Sequence, residues 1–301
     1  MLNRIDIINI IKKKIKEKKP KISDNSIHTY SQLLYTLFYK LHSLDEPLEI
    51  SIFDQQVNIL KFLESYKPTT RKTILSALIS ITDKNDLYKK VMMNDILTDK
   101  KNIELNIKSD QQNKNWISYE EIIKLFNKLK KKVYFILDNL YDNEELTLKE
   151  YLIFQDLIIV SLVTGIYLPP RRSLDFTEMK IKNIDKLKDN YIDNNKFIFN
   201  QYKTKKFYGK QEILIPEELN QLLNTFENLS PFEYLLVNNN GKKLNEITLN
   251  QYIKKIFNGK GGTSIFRNIY ITKLYENIPN LKQISEDMGH DINTQLKYIK
   301  K

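Results

Sequence analysis

The most informative stretch of this chain is residues 262–301, GTSIFRNIYITKLYENIPNLKQISEDMGHDINTQLKYIKK. They contain Arg267, the only Gly-His pair of the chain at Gly289-His290, and Tyr298 close to the last residue. Arginine can hold two oxygens of a phosphate at once, histidine can donate a hydrogen bond to a third, and tyrosine can act as a nucleophile. These residue types could therefore hold a phosphodiester and attack it, if the rest of the chain positions them.

The overall composition favours a globular protein with a polyanionic partner. The chain has 301 residues, 41% of them hydrophobic and 28% charged, which is enough for two domains with a core each. The net charge is +11, with 48 basic against 37 acidic residues. A coding bias towards Lys, Asn and Ile explains part of this excess, but a nucleic acid is the leading candidate partner.

The chain lacks the features of a secreted or membrane protein. It contains no cysteine, which excludes disulfides and thiolate metal sites and fits a reducing compartment. The longest apolar run, Leu157–Leu168, is too short to span a bilayer. We therefore expect a soluble, intracellular protein with no membrane association.

Apolar periodicity and composition divide the chain into four parts. Residues 1–22 predict a basic arm or helix, and residues 23–100 a small all-helical domain. Residues 101–115 are polar and without period, which indicates a linker. Residues 116–301 then form the second domain.

The second domain is predicted to be mostly helical with a small antiparallel sheet. Ser118 and Glu121 form a capping box before an amphipathic helix, and an almost wholly apolar helix runs from about Leu148 to Thr164. Residues 196–216 alternate in the manner of two strands, joined in a hairpin around Phe207-Tyr208-Gly209. The fold class is thus mainly α, of the α+β type.

Four separated motifs in this domain resemble the catalytic domain of the tyrosine recombinases, the phage-integrase type. They are Thr164-Gly165 leading to Arg172 and Asp175, Lys203-Thr204 after the first predicted hairpin strand, Ser264 with Arg267 at a helix start, and Met288-Gly289-His290 followed by Tyr298. The resemblance is greatest to the integrase-like proteins of giant DNA viruses and virophages. The preceding helical domain resembles the core-binding domain of the same family.

The resemblance implies an enzyme that breaks and rejoins DNA through a 3′-phosphotyrosyl intermediate. It assigns the phosphate clamp to Arg172 and Arg267, the general acid to Lys203 and the nucleophile to Tyr298, with His290 as a further hydrogen-bond donor. Ser264 stands where the family has histidine, and serine can donate a hydrogen bond but cannot act as a cation or a base at neutral pH. The covalent link conserves the energy of the phosphodiester, so no metal, ATP or other cofactor is expected.

Several alternatives remain open on the sequence. Arg171 competes with Arg172. The alternatives to Lys203 as general acid are Lys205, Lys206 and Lys210. The alternatives to Tyr298 as nucleophile are Tyr270 and Tyr275. A type IB topoisomerase and a DNA-binding protein that has lost catalysis are the alternative functions.

The same resemblance suggests how the chain would meet DNA. The expected backbone contacts are Lys12, Lys13, Lys14, Arg71, Lys72, Arg171 and Lys205. Recombinases of this family act as homo-tetramers on two sites of double-stranded DNA. We therefore expect this chain to form a homo-tetramer on double-stranded DNA and to be a monomer or dimer without it. The expected setting is viral or mobile-element DNA in a host cell.

Overall fold

The computed structural model describes residues 3–41, 49–104, 108–140, 145–274, 281–290 and 294. The chain forms two compact units, Met1–Leu105 and Asn106–Lys301. Among the described helices, none has both the length and the apolar composition needed to cross a membrane.

The described part of the first unit is helical. Its elements are α1 (Arg4–Lys18), α2 (Asp24–Leu41), a 3-10 turn (Ile50–Asp54), α3 (Gln56–Leu63), α4 (Pro68–Ile81) and α5 (Asp86–Glu104). Helix α4 packs against α1, α2 and α5 and lies at the centre of the unit.

The predicted basic segment at the start of the chain is a helix that belongs to this core. Asn3 caps α1 in a capping box with Asp6. Ile7, Ile11 and Ile15 recur every four residues and are buried against α2 and α4. This apolar stripe fixes α1 in the unit and turns its lysines outward.

The predicted linker, residues 101–115, contains helical residues, and the division between the two compact units falls within it. Helix α5 extends to Glu104, and α6 (Asp110–Asn115) begins after Ser109. Ser109 and Gln112 cap each other's backbone N–H groups, and no residue of α6 is buried. The capping box forms this short helix without an apolar face, which is why periodicity does not reveal it.

The second unit is built around one buried helix. Its helices are α6, α7 (Tyr119–Asp138), α8 (Leu148–Val163), α9 (Ser173–Thr177), α10 (Lys205–Tyr208), α11 (Glu217–Leu229), α12 (Glu246–Ile256), α13 (Thr263–Leu274) and α14 (Leu281–Asp287). Helix α8 packs against α7, α11 and α12, and ten of its residues are buried, as its composition predicts. Helix α7 begins at the capping box of Ser118 and Glu121, as the sequence predicts.

A small mixed sheet flanks these helices. Its strands are β1 (Met179–Lys180), β2 (Asn190–Asp193), β3 (Lys196–Phe199) and β4 (Gln211–Leu214), in the order β1-β2-β3-β4. Strand β1 pairs with β2 in parallel, and the other two pairs are antiparallel.

The tight hairpin lies one connection earlier than the sequence suggests. Asn194 and Asn195 join β2 to β3 with φ of 49° and 59°, the left-handed conformation that two-residue hairpins require. Strands β3 and β4 do pair, but their connection contains helix α10 instead of a simple turn at Phe207-Tyr208-Gly209.

Candidate active site

Arg171 is built into the interior of the second unit. It is 2% exposed, and its Nε donates to Asp175 Oδ2 at 2.7 Å. Its Nη1 donates to the carbonyl of Asp287 at 2.7 Å and its Nη2 to Gln211 Oε1 at 2.8 Å. The guanidinium also lies 4.1 Å from the centroid of the Phe199 ring. Arg171 therefore joins α9, β3, β4 and α14, and its burial disagrees with the prediction that it contacts DNA.

Arg172, the next residue, points to a different partner. It is the N-cap residue of α9 and is half-buried. Its Nη1 donates to the carbonyl of Gly289. The two neighbouring arginines are thus divided between an interior position and a partly open one.

The Gly289 carbonyl is the point where three of the sequence motifs meet. It accepts from Arg172 and, at 2.9 Å, from Thr204 Oγ1, the residue after Lys203. Gly289 has φ of 71°, and a Cβ there would lie 3.2 Å from Arg171 Nη2. A side chain at this position would strain the backbone and crowd the Arg171 guanidinium. His290, which follows, is 1% exposed.

Helix α14 carries this glycine turn against α13. Ile284 and Met288 pack with Ile271 and Tyr270 of α13. The apolar contact explains how a turn near the end of the chain is held beside a helix that carries Arg267.

The N-termini of α9 and α13 are joined by a small polar cluster. Ser173 Oγ and Thr263 Oγ1 are 2.9 Å apart, and Asn250 Nδ2 donates to Ser173 Oγ at 3.3 Å. Asn250 Oδ1 accepts from the backbone N–H of Thr263 at 3.1 Å. Sequence reasoning missed this cluster, because its members lie on three separate helices and have no local signature.

Arg267 lies in the second turn of α13 and is 6% exposed. Its Nη2 donates to the exposed Ser264 Oγ at 3.3 Å, so the residue in the place of the family's histidine does contact the second arginine.

Both arginines of the predicted clamp act on one buried carboxyl group. Burial raises the pKa of Asp175, while Arg171, Arg172 and Arg267 each act to lower it. Arg172 and Arg267 therefore lie within electrostatic range of the same group, although 95 positions separate them in the chain. Positive charge is concentrated here by the fold.

Lys203 is exposed and lies on the connection between β3 and β4. The buried Asn190 positions the start of this connection. Its Nδ2 donates to the carbonyls of Asp175 and Gln201, at 2.9 and 2.7 Å, and its Oδ1 accepts from the N–H of Gln201 at 2.6 Å. The connection that carries Lys203 is thereby tied to α9.

The predicted nucleophile, Tyr298, lies outside the described residues, as does its competitor Tyr275. The other competitor, Tyr270, is described. Burial raises the pKa of Tyr270 to about 12, and the charge of Asp287 adds to this effect. Its ring also fills the space beside Gly165, where a Cβ would lie 2.4 Å from Cδ2. Tyr270 is therefore placed as a packing residue and poorly prepared for attack.

The predicted DNA contacts of the first unit differ in how far their charges are neutralised. Arg71 forms a two-point ion pair with Asp95, and Lys72 lies 3.0 Å from Asp99. The lysines of α1 comprise the exposed Lys13 and the half-buried Lys12 and Lys14, of which Lys14 is 3.7 Å from Glu17. In the second unit, Lys205 is exposed on α10.

Nothing in the described residues groups three or more His, Cys, Asp or Glu side chains in a way that could hold a metal ion. The fold does bring Arg172 and Arg267 close to one buried carboxyl group, and Ser264 contacts Arg267. Arginine and serine are donors that suit a phosphate group.

Solved structures resemble this chain over nearly its whole length. The Tn1549 transposon integrase in complex with circular intermediate DNA is 13% identical, with a TM-score of 0.54, over 98% of this chain and 95% of that chain. A lambda integrase dimer bound to a core site is 16% identical, with a TM-score of 0.54, over 96% and 95%. Neither a protein-family model nor a curated protein sequence matches the chain.

The likeness establishes the fold. The second unit, mostly helical with a small mixed sheet, has the fold of the catalytic domain of tyrosine recombinases. The two proteins named above are integrases that were solved with DNA.

Proposed function

We propose that this chain is a site-specific DNA recombinase, or integrase, that breaks and rejoins duplex DNA through Tyr298. The observation that carries the proposal is the meeting of distant motifs at one place. Arg172 and the Lys203-Thr204 connection both reach the Gly289 carbonyl, and Arg172 and Arg267 share the field of Asp175. The likeness of the fold to DNA-bound integrases supports it.

The proposed reaction is a transesterification. The Tyr298 hydroxyl gives its proton to solvent as its oxygen attacks the phosphorus, the bond to the 5′-oxygen breaks, and a 3′-phosphotyrosyl link forms. Arg172 and Arg267 hold the non-bridging oxygens, on which negative charge develops. Lys203 gives its proton to the departing 5′-oxygen, and His290 donates a hydrogen bond to the phosphate or orients Tyr298. The religation step reverses these transfers, so neither metal nor ATP is consumed.

Ser264 fits this scheme as a neutral donor. Its hydroxyl lies beside Arg267 Nη2 and is exposed, so it can rotate to donate to a phosphate oxygen. A histidine would supply a positive charge at the same place, and we expect serine to support a slower reaction.

The proposed partner is duplex DNA of a virus or mobile element, and the proposed relatives are the integrase-like proteins of giant viruses and virophages. Lambda integrase was solved as a dimer on a core site. From the family resemblance, we propose a monomer or dimer off DNA and a homo-tetramer on two DNA sites.

Tyr298→Phe tests the nucleophile. A duplex selected by the chain from a random pool and then nicked as a suicide substrate should trap a covalent adduct with the unaltered protein. Tyr298→Phe should bind the duplex with unchanged affinity and form no adduct, whereas Tyr270→Phe should still form one. Adducts that persist in Tyr298→Phe would disprove the assignment.

A second candidate function follows from Ser264, since loss of the histidine also suits a protein that binds DNA without cutting it. Salt-sensitive binding with no adduct in the unaltered chain would support this candidate. Relaxation of supercoiled plasmid of any sequence, without strand exchange, would instead indicate a type IB topoisomerase.

A further inference from the structure

The segment Lys203–Lys210, which we name the α10 loop, displays an aromatic ring among lysines. Its sequence is KTKKFYGK, with four lysines and no acidic residue. Phe207 is 80% exposed within it. Exposure of a single apolar side chain is common on protein surfaces, so the neighbouring contacts decide whether this ring has a role.

The α10 loop is braced at both ends. Thr204 Oγ1 donates to the Gly289 carbonyl at 2.9 Å, and the Tyr202 hydroxyl donates to the Gly209 carbonyl at 2.7 Å. Within the loop, the N–H of Phe207 donates to the Thr204 carbonyl at 2.9 Å. The ring is therefore held outward by a fixed backbone, and it lies three residues from the contact with the candidate active site.

The charges of the loop are available to a partner. Within the described part of the chain, no carboxylate lies at ion-pair distance from Lys203, Lys205 or Lys206. Lys210 alone is paired, 2.7 Å from Glu212. Clustered lysines of this kind attract phosphate groups, and their place beside Arg172 favours DNA over an acidic protein.

We propose that Phe207 is a base-contacting wedge that enters a groove of the bound duplex beside the reacting phosphate. When the lysines of the α10 loop meet the backbone, the ring between them faces the bases. Proteins use such apolar side chains to unstack a base step, and a base stacked on an aromatic ring contributes strongly to affinity. The proposal rests on the proposed function and adds a residue that selects deformable base steps.

The first measurement compares affinities for the selected duplex over a salt series. Phe207→Ala should weaken binding about tenfold while leaving the salt dependence unchanged, because it removes stacking and no charge. Lys205→Ala/Lys206→Ala should instead lower the slope of log affinity against log salt by about 2. Phe135→Ala is the matched control, since Phe135 is 71% exposed one helical turn after Lys131 and Lys132 on α7, and it should bind like the unaltered chain.

The second measurement places 2-aminopurine at one position of the duplex after another. Its fluorescence should rise at one step when the unaltered chain or Phe207→Trp binds, and should stay low with Phe207→Ala. If the unaltered chain and Phe207→Ala bind the same duplex with equal affinity and give equal fluorescence, the wedge is disproved and the proposed function stands. Failure of the unaltered chain to bind any duplex would overturn the proposed function and the wedge with it.

Discussion

The cluster around Arg171 and the α10 loop are two positively charged regions of the same unit, and they use their charge in different ways. Arg171 is buried, and its donors meet a carboxylate, an amide oxygen and a backbone carbonyl. Lys203, Lys205 and Lys206 of the α10 loop are exposed. A buried cation that pairs with a buried carboxylate is costly to remove from the fold, whereas exposed cations gain free energy when a polyanion binds.

Removing Arg171 should have the largest effect on folding. Arg171→Ala leaves the Asp175 carboxyl buried without its nearest cation, and we expect the free energy of unfolding to fall by about 3–5 kcal/mol. Urea denaturation of the full chain measures this. Arg171→Ala/Asp175→Asn, which removes the charge as well, should recover a large part of the loss. Equal stability of Arg171→Ala and the unaltered chain would show that the interior role is wrong.

Removing Arg172 should change the stability little and slow adduct formation strongly. Because Arg172 is half-buried and no carboxylate pairs with it at ion-pair distance among the described residues, Arg172→Ala should lower the unfolding free energy by less than about 1 kcal/mol. The rate of adduct formation on the suicide duplex should fall about 100- to 1000-fold, through loss of a charge-stabilising donor. Arg172→Lys should lie between the two, since lysine keeps the charge and loses the two-point geometry. A normal adduct rate in Arg172→Ala would transfer the catalytic role elsewhere.

Asp156 on α8 extends the comparison to a half-buried carboxylate that forms no ion pair among the described residues. Burial raises the pKa of Asp156 to about 6, although Lys255 and Lys132 act to lower it. Since the folded pKa lies above the ordinary value of about 4, the stability that protonated Asp156 contributes is complete below about pH 4 and is lost as the pH rises through about 6. After allowance for solvent screening, Asp156→Asn should raise the unfolding free energy by about 1–2 kcal/mol at pH 7.5 and leave it unchanged at pH 4. Parallel stability profiles for both proteins between pH 4 and 8 would contradict this.

Much of the helical structure can be predicted from local sequence. The capping box at Ser118 and the apolar run of α8 each require only neighbouring residues, and the structure confirms both. The mainly α fold with a small sheet is confirmed as well, with β1 paired in parallel. At Ser109 and at Asn194-Asn195, a capping box and a left-handed turn form without apolar periodicity, so periodicity alone reveals neither the short helix nor the tight hairpin.

The candidate site could be predicted only in part. The spacing of the motifs points to Arg172, Lys203, Arg267 and His290 as a set, and their roles remain predictions. The Arg-x-x-acid spacing points to Arg172, whereas Asp175 forms its ion pair with Arg171. Nothing nearby in the sequence singles out Gln211 as a partner. The division between the two arginines depends on their contacts with Asp287 and Gly289, which lie 116 and 117 residues further along the chain. Gln211 meets Arg171 across 40 residues.

The sequence by itself determined the helices, the order of the motifs and the excess of positive charge, since hydrogen bonds between near neighbours and the periodicity of apolar residues are properties of short segments. The tertiary structure decided which cations are buried and which face the solvent. Whether a cation is buried depends on where α14 packs on α13 and where β3 and β4 meet α9. Such packing brings together groups whose separation along the chain carries no information about their distance in space. Two adjacent arginines of identical chemistry thus come to hold the fold together in one case and to lie open beside the glycine turn in the other.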